Sequence, residues 1–193
     1  MGTLVLFLPV LLSASMPVPP SDDGVVGDRI EFLGWSPDSK DFAFARIRTR
    51  PNGRVRRTYL MKRTSRSGVA QPLRLDQSVT ERVRRKGYTS SEVPGRRLSD
   101  YEQVFAVRAG KQLRVALEVN RRGLSYSLYL DDNTGAEEPE HLLRGYFREL
   151  WTSVDGRVFL SPDGSWAVVL LSLSTPFRTH AWVQGVRIGA PAP

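Results

Sequence analysis

One short phrase occurs twice in this chain and decides its fold. Residues 32–44 read FLGWSPDSKDFAF, and residues 158–170 read VFLSPDGSWAVVL. Proline presets the backbone for a tight turn, an aspartate side chain can accept hydrogen bonds from the N–H groups that follow it, and glycine tolerates positive φ. Ser-Pro-Asp between two apolar runs therefore predicts a hairpin turn in each copy. The predicted turn residues are Ser36, Pro37 and Asp38 in the first copy, and Ser161, Pro162, Asp163 and Gly164 in the second, with Ser39 at the glycine position of the first.

The strands that follow the two turns differ in pattern. Residues 41–47 (DFAFARI) alternate between larger and smaller side chains, whereas residues 166–174 (WAVVLLSLS) are apolar almost without interruption. Alternation is typical of a strand buried on one face, and a continuous apolar run is typical of a strand covered on both faces. The second strand is therefore predicted to be the more central one.

A third unit with the same order lies between these two. Residues 104–137 contain an apolar lead-in, a turn at RAGK, a strand LRVALEV, a loop NRRG and a strand LSYSLYLDD. The Ser-Pro-Asp phrase is missing from this middle copy. The chain is thus predicted to hold three strand–turn–strand–loop–strand units, which start near Glu31, Val104 and Arg157.

These units predict a mainly β protein made of antiparallel sheets, with one or two short helices in the insertions. We expect a single domain over residues 30–189, with insertions at about 76–103 and 137–150 and a loose tail at 190–193. The first insertion predicts a short helix that begins at Ser78, with Glu81 three residues later as in a capping box. The second predicts a short helix or turn whose apolar face contains Leu142, Leu143, Tyr146, Phe147 and Leu150.

The two turn phrases, together with the strand and exit turn SLYLDDNTG at residues 127–135, resemble the repeat of TolB-type β-propellers, also called the WD40-like or PD40 repeat. The resemblance covers roughly half of the chain in three pieces, and its layout is also similar to secreted bacterial proteins of unassigned activity. It implies blade-like units. Because a propeller typically needs four or more blades to close, three units predict an incomplete or distorted propeller, a sandwich-like pair of sheets, or a homodimer that covers free sheet edges.

The N-terminus predicts export. Residues 3–12 (TLVLFLPVLL) have the length of a signal-peptide core and are too short to span a bilayer, and small residues at Ser13 and Ser15 allow cleavage after position 15. Residues 16–29 then predict a Pro-rich polar linker. The alternative is a buried N-terminal strand, which the prolines disfavour. The 193-residue chain contains no cysteine, so no lipoprotein anchor or disulfide can form, and we expect a soluble periplasmic or extracellular protein.

A basic block dominates the charge. The net charge is +8, and ten bases and no acid lie between Phe42 and Leu75. Such a block can attract polyanions, or it can be a solvated face that reflects the strong preference of this chain for Arg over Lys. The predicted partner-binding residues are Arg46, Arg48, Arg50, Arg54, Arg56, Arg57 and Arg63.

No catalytic, cofactor-binding or metal site is predicted. The two histidines, His141 and His180, are 39 positions apart and lie in no ligand-spaced motif, and neither a nucleophile elbow nor a phosphate loop occurs. We therefore expect a non-enzymatic exported envelope protein, a β-repeat scaffold whose Arg-rich face binds a protein partner or an anionic cell-surface polymer, with no nucleic-acid partner. The alternative is a hydrolase or carbohydrate-acting enzyme that pairs Glu118 with Asp131 or Asp132.

Overall fold

A computed structural model describes residues 24–73, 78–108, 110–120, 123–132, 138–147, 151 and 153–190. The predicted signal peptide (residues 1–15), most of the predicted linker and most of the predicted tail lie outside these ranges. The last residues of the predicted linker belong to the first strand, which begins at Gly27. Within the described ranges, no helix has the length and apolar character needed to cross a membrane.

Three antiparallel sheets and one short helix make up the described chain. Sheet A contains β1 (Gly27–Trp35), β2 (Asp41–Thr49), β3 (Val55–Arg63) and β4 (Gln71–Pro72). Sheet B contains β5 (Ser91–Val93), β11 (Ser153–Leu160), β12 (Trp166–Ser174) and β13 (Thr179–Arg187). Sheet C contains β6 (Gly95–Ser99), β7 (Glu102–Arg108), β8 (Lys111–Asn120), β9 (Gly123–Asp132) and β10 (Glu140–Phe147). The helix α1 (Val79–Lys86) lies between β4 and β5.

Each predicted unit forms a three-stranded meander. The first is β1–β2–β3, the middle one is β7–β8–β9, and the last is β11–β12–β13, and consecutive strands pair within each unit. A strand from elsewhere in the chain then extends each meander: β4 beside β3, β5 beside β11, and β6 and β10 on the two edges of sheet C. The prediction of a mainly β fold built from antiparallel sheets is confirmed.

Sheet B lies between the other two sheets. On β12, Trp166, Val168 and Leu170 belong to one core cluster, together with Trp35 and Phe42 of sheet A. The side chains of alternate β12 residues, from Ala167 to Leu173, point to the other face and join a second cluster with the inner residues of sheet C. The continuous apolar strand is therefore covered on both faces, as its pattern predicted. The last unit of the chain thus sits in the middle of the stack.

The two Ser-Pro-Asp turns have the same hydrogen-bond pattern. In the first, the Ser36 hydroxyl donates to Asp38 Oδ1 at 2.6 Å and accepts from the Asp41 N–H at 3.0 Å. In the second, the Ser161 hydroxyl donates to Asp163 Oδ1 at 2.6 Å and accepts from the Trp166 N–H at 3.0 Å. The serine side chain thus satisfies backbone groups that close each hairpin, which explains why this residue type recurs at the start of the turn.

The two turns also touch each other. Ser39 adopts φ of 55°, close to the 65° of Gly164 at the matching position. Its buried hydroxyl accepts the N–H of Asp163 at 3.2 Å, and the indole N–H of Trp35 donates to the Phe159 carbonyl at 3.3 Å. Ser39 therefore occupies a backbone region that favours glycine, and its side chain links the first sheet to the second copy of the phrase.

The prediction for the second insertion was wrong where it favoured a helix or turn. Residues 140–147 form strand β10, which pairs with β9 and covers its outer edge. A register shift between His141 and Leu143 lets adjacent leucines both face inward in part, which imitates helical spacing in the sequence. A side chain at Gly145 would collide with the Tyr126 side chain, whose hydroxyl oxygen lies 2.1 Å from the Cβ position. The glycine in β10 thus leaves the space that the Tyr126 side chain on β9 occupies.

In the first insertion, the predicted helix is confirmed as α1. The Ser78 side chain makes no capping hydrogen bond, so the predicted capping box does not form. The helix ends at Gly87, which has φ of 62°, the left-handed conformation that commonly terminates helices. The remainder of this insertion supplies β5 and β6, one strand to each of sheets B and C.

Substitutions at Ser39 test the link between the two turns. Ser39→Ala removes the hydroxyl that accepts the Asp163 N–H but keeps the unfavourable positive φ, so we expect the free energy of unfolding to fall by about 1–2 kcal/mol. Ser39→Gly also removes the hydroxyl, but glycine adopts this φ without strain. We therefore expect the loss of unfolding free energy to be about 1 kcal/mol smaller for Ser39→Gly than for Ser39→Ala. Urea unfolding of the three proteins measures the difference, and an alanine variant at least as stable as the glycine variant would contradict this account.

Candidate anion-binding site

Two hairpin turns meet at one end of sheets A and B. The Val26 N–H donates to the Thr49 carbonyl at 2.9 Å, and the Thr179 N–H donates to the Val26 carbonyl at 3.0 Å. The end of β2 and the start of β13 therefore flank the beginning of β1. The β2–β3 turn (residues 50–54) and the β12–β13 turn (residues 175–178) consequently project in the same direction. We call these two turns and the strand ends between them the hairpin end.

A surface pocket of about 300 Å³ opens at the hairpin end. Its lining includes the apolar side chains of Ile47 and Val55, the hydroxyl-bearing Thr179, and the charged residues Asp28 and Arg29. The pocket lies beside the β2–β3 hairpin, which carries most of the predicted basic block. A ligand in this pocket would contact the apolar side chains of Ile47 and Val55 and the exposed Arg29.

Four of the seven predicted partner-binding arginines contact carboxylates of sheet A. Arg46 Nε donates to both oxygens of Asp28, at 2.9 and 3.2 Å, and Arg48 Nε lies 4.0 Å from the same carboxylate. The other two arginines pair with different acids, Arg57 with Glu31 and Arg63 with Asp41. These acids lie outside the acid-free stretch, on β1 or at the first residue of β2, and reach the arginines across the sheet.

The other three arginines, Arg50, Arg54 and Arg56, are exposed and have no acidic partner among the described residues. Arg50 and Arg54 border the turn, and Arg56 pairs with Arg48 across β2 and β3. The structure therefore gathers Arg50, Arg54 and Arg56 at the hairpin end. Along β3, Arg56 and Arg57 point to opposite faces of sheet A because successive strand residues alternate, so the seven arginines do not form one continuous face.

Asp28 fastens β1 to β13. Its side chain is 4% exposed and contacts Arg46 and the imidazole Nδ1 of His180 at 3.3 Å, while its N–H donates to the Thr179 hydroxyl at 3.0 Å. The His180 ring stacks at 5.8 Å from Trp151, between centroids. A buried carboxylate is stable only when it is paired and hydrogen-bonded, and these contacts meet that requirement. The cluster thus holds together the base of the hairpin end.

The carboxylates of the enzyme alternative lie far apart. Glu118 is opposite Ser125, whereas Asp131 is opposite Gln112 on the same strand pair. Six residues along a strand correspond to about 20 Å, well beyond the 5–10 Å that paired catalytic carboxylates require. Asp132 is one residue farther still. Asp131 instead contacts the Arg114 guanidinium, with Nε at 2.9 Å.

The two histidines lie in different surroundings. His141 is exposed on β10, with its ring 5.2 Å from that of Tyr129, whereas His180 belongs to the Asp28 cluster. Within the described part of the chain, no group of three or more His, Asp or Glu side chains is arranged to hold a metal ion.

Lys62, one of the ten bases of the block, is removed from the basic surface by burial. Its Nζ donates to the Val183 carbonyl at 2.9 Å and to Gln184 Oε1 at 2.7 Å, at the contact between β3 and β13. The Gln184 amide in turn donates to the Ala70 carbonyl at 2.8 Å. Burial lowers the pKa of Lys62 to about 8, because the charged form loses its hydration.

Comparisons with protein-family models, with curated proteins and with solved structures found no match.

Two residues of the hairpin end, Arg29 and Phe177, cannot be placed there from local sequence patterns. Arg29 precedes the basic block and lies beside it only because β1 pairs with β2, where Arg29 is opposite Ile47. Phe177 lies in a segment that reads simply as a loop, STPFR, and its position depends on the long-range contact between β1 and β13. The proline and threonine before Phe177 are a signal for a turn, but no local signal places that turn beside the arginines.

The burial of Lys62 predicts a specific pH dependence of stability. Its pKa is lower in the folded state (about 8) than in the unfolded state (10.5), so between these values the unfolded chain binds more protons and stability rises with pH. Between pH 7 and 9.5 this contribution amounts to about 2 kcal/mol. We expect wild type to gain that much relative to Lys62→Met in urea unfolding, whereas the exposed control Lys40→Met keeps the wild-type dependence. Equal pH profiles for wild type and Lys62→Met would refute the account.

Proposed function

We propose that this protein is a non-enzymatic component of the cell envelope that binds an anionic partner through the arginines of its hairpin end. In this proposal residues 1–15 direct export, and the stacked sheets are a rigid scaffold that presents the β2–β3 turn. The resemblance of the turn phrases to PD40 repeats agrees with a scaffold role, because such repeats build the frame of a protein rather than a reactive site.

The observation that carries the proposal is that some of the seven arginines contact carboxylates of the described residues and the others do not. Arg46, Arg48, Arg57 and Arg63 each lie within 4.0 Å of a carboxylate of sheet A. Arg50, Arg54 and Arg56 are exposed without such partners in the described residues. Uncompensated cations close together on one projection raise the local positive potential and attract anions over about one Debye length, roughly 8–10 Å at physiological salt.

The chemistry of the pocket also favours binding over catalysis. Its one carboxylate, Asp28, is buried and contacts Arg46 and His180, so its oxygens are occupied by side chains of the protein itself. A general acid or base must instead reach a substrate with a free lone pair or proton. The exposed guanidinium groups of the hairpin end suit phosphate, sulfate or carboxylate groups, to which arginine binds in a bidentate manner.

Heparin, a soluble sulfated polysaccharide, is a suitable probe for this anion site. The triple variant Arg50→Ser, Arg54→Ser, Arg56→Ser removes three charges from the hairpin end. The matched control Arg66→Ser, Arg84→Ser, Lys86→Ser removes three charges from exposed residues near the opposite end of β2, in the loop after β3 and on helix α1. We expect the hairpin-end variant to elute from immobilised heparin at clearly lower salt than the control variant, because clustered cations release more counterions from a polyanion than dispersed ones do.

The salt dependence provides a second readout. For the hairpin-end variant, the slope of log K against log salt concentration should fall by about 2 to 3 relative to wild type, and for the control variant by less than about 1. Equal losses in the two variants would mean that only the net charge of +8 attracts heparin, and the proposal would be rejected. A protein partner recognised by shape would instead stay bound as salt is raised.

A further inference from the structure

The hairpin end presents an aromatic side chain to solvent. Phe177 is 88% exposed, more than any other large apolar residue in the described ranges. Its turn is well defined: the Thr175 hydroxyl accepts the N–H groups of Phe177 at 3.3 Å and Arg178 at 3.1 Å, and the Thr175 N–H donates to the Arg178 carbonyl at 2.8 Å. Phe177 is therefore held outward on an ordered turn, although its exposure is unfavourable in water.

More exposed apolar residues lie at the same end of the molecule. In sheets A and B these are Val26 (38% exposed) and Val55 (64%), on the strand ends beside the two turns. Sheet C adds Leu98, Tyr101 and Val119. Six of the eight exposed large apolar residues in the described ranges thus gather at one end, although scattered single residues are what a free surface normally shows.

The position of sheet C at this end follows from its contacts with sheet B. The Phe147 and His180 rings are 6.0 Å apart between centroids, and Phe147 pairs with Leu124, which pairs with Val119. The adjoining ends of β8 and β9 therefore lie at the same end of the molecule as the β12–β13 turn. The Tyr101 carbonyl accepts the Leu117 N–H at 2.8 Å, which places the β6–β7 turn there as well. Strand ends of all three sheets consequently lie at this end of the molecule.

We propose that this end docks on an anionic lipid bilayer, with Phe177 entering the headgroup region and the arginines of the β2–β3 turn binding lipid phosphates. This inference rests on the proposed function, whose anionic partner it identifies. Apolar side chains interleaved with cations are the pattern of proteins that lie on membrane interfaces. Each arginine near an anionic leaflet adds to the attraction, and an inserted aromatic ring adds a hydrophobic contribution that a soluble polymer cannot provide.

The arrangement of the apolar residues favours a bilayer over a protein partner. Phe177, Val55 and Val119 belong to turns or strand ends of three different sheets. A protein interface places its anchor residues in a closely packed, water-excluding centre, whereas a fluid interface accepts several isolated insertions. Two acids, Asp100 and Glu118, lie in sheet C's part of this surface, and Glu118 pairs with Arg144 at 3.7 Å. We therefore expect sheets A and B to make the deeper contact.

Co-sedimentation with vesicles tests the inference on the full chain. Phosphatidylcholine vesicles with and without phosphatidylglycerol are compared for wild type, Phe177→Ser, Phe177→Trp, the triple hairpin-end arginine variant and its matched control. We expect Phe177→Ser to lower partitioning into anionic vesicles about 10-fold, the arginine variant to lower it about 100-fold, and Phe177→Trp and the control variant to retain it. All variants share residues 1–23, so any contribution of the apolar leader is common to them.

The outcomes separate this inference from the proposed function. Phe177→Ser should bind heparin as wild type does, because the ring carries no charge. If Phe177→Ser also partitions into anionic vesicles as wild type does, membrane docking is overturned while anion binding by the arginines stands. Equal binding to vesicles with and without phosphatidylglycerol would likewise overturn it. Because Phe177 makes few contacts with the fold, its variants should keep the wild-type thermal unfolding, which confirms that a loss of partitioning is not a loss of structure.

Discussion

The structure depends on the need to cover strand β12 on both faces. Val168, Val169 and Leu171 are fully buried, and consecutive residues of a strand point in opposite directions. Each such side chain contributes about 1.5–3 kcal/mol when it leaves water, so a solvent-exposed face on this strand would be costly. Sheet A covers one face and sheet C the other. The chain order A, C, B therefore becomes the spatial order A, B, C, and the link between the two Ser-Pro-Asp turns fixes sheet A against the middle layer.

Much of this fold could be predicted because its signals are local. The repeated phrase contains the serine, proline and aspartate that close each turn, and the pattern of residues 166–174 shows directly that both faces are covered. The error at β10 has a physical cause. Leu142 and Leu143 are adjacent, and only a register shift against β9 allows both to be partly buried in a strand. A shift of this kind depends on the partner strand, so the sequence of β10 alone cannot indicate it.

The site was less predictable, since charge pairing in a sheet is non-local. The absence of acids between residues 42 and 75 suggested a continuous basic face. In the folded chain, the partners Asp28 and Glu31 come from the neighbouring strand β1, and Asp41 precedes the stretch by one residue. The strand register decides which arginines meet these acids. The register also places Arg56 beside Arg48 and brings Arg29 to the rim of the pocket, and neither neighbour can be inferred from a local pattern.

The same geometry explains why the uncompensated groups collect at the turns. A residue in the middle of a strand has neighbours on both sides, so Arg46 finds a carboxylate and Phe42 finds a core. A turn extends beyond the last paired residues, where no adjacent strand can supply a counter-charge or an apolar cover. Arg50 and Phe177 are both in this position. The arginines without counter-charges among the described residues and the exposed Phe177 ring therefore lie at the same end of the stack. This end is where a partner could supply the anionic groups and the apolar contacts that the fold itself does not.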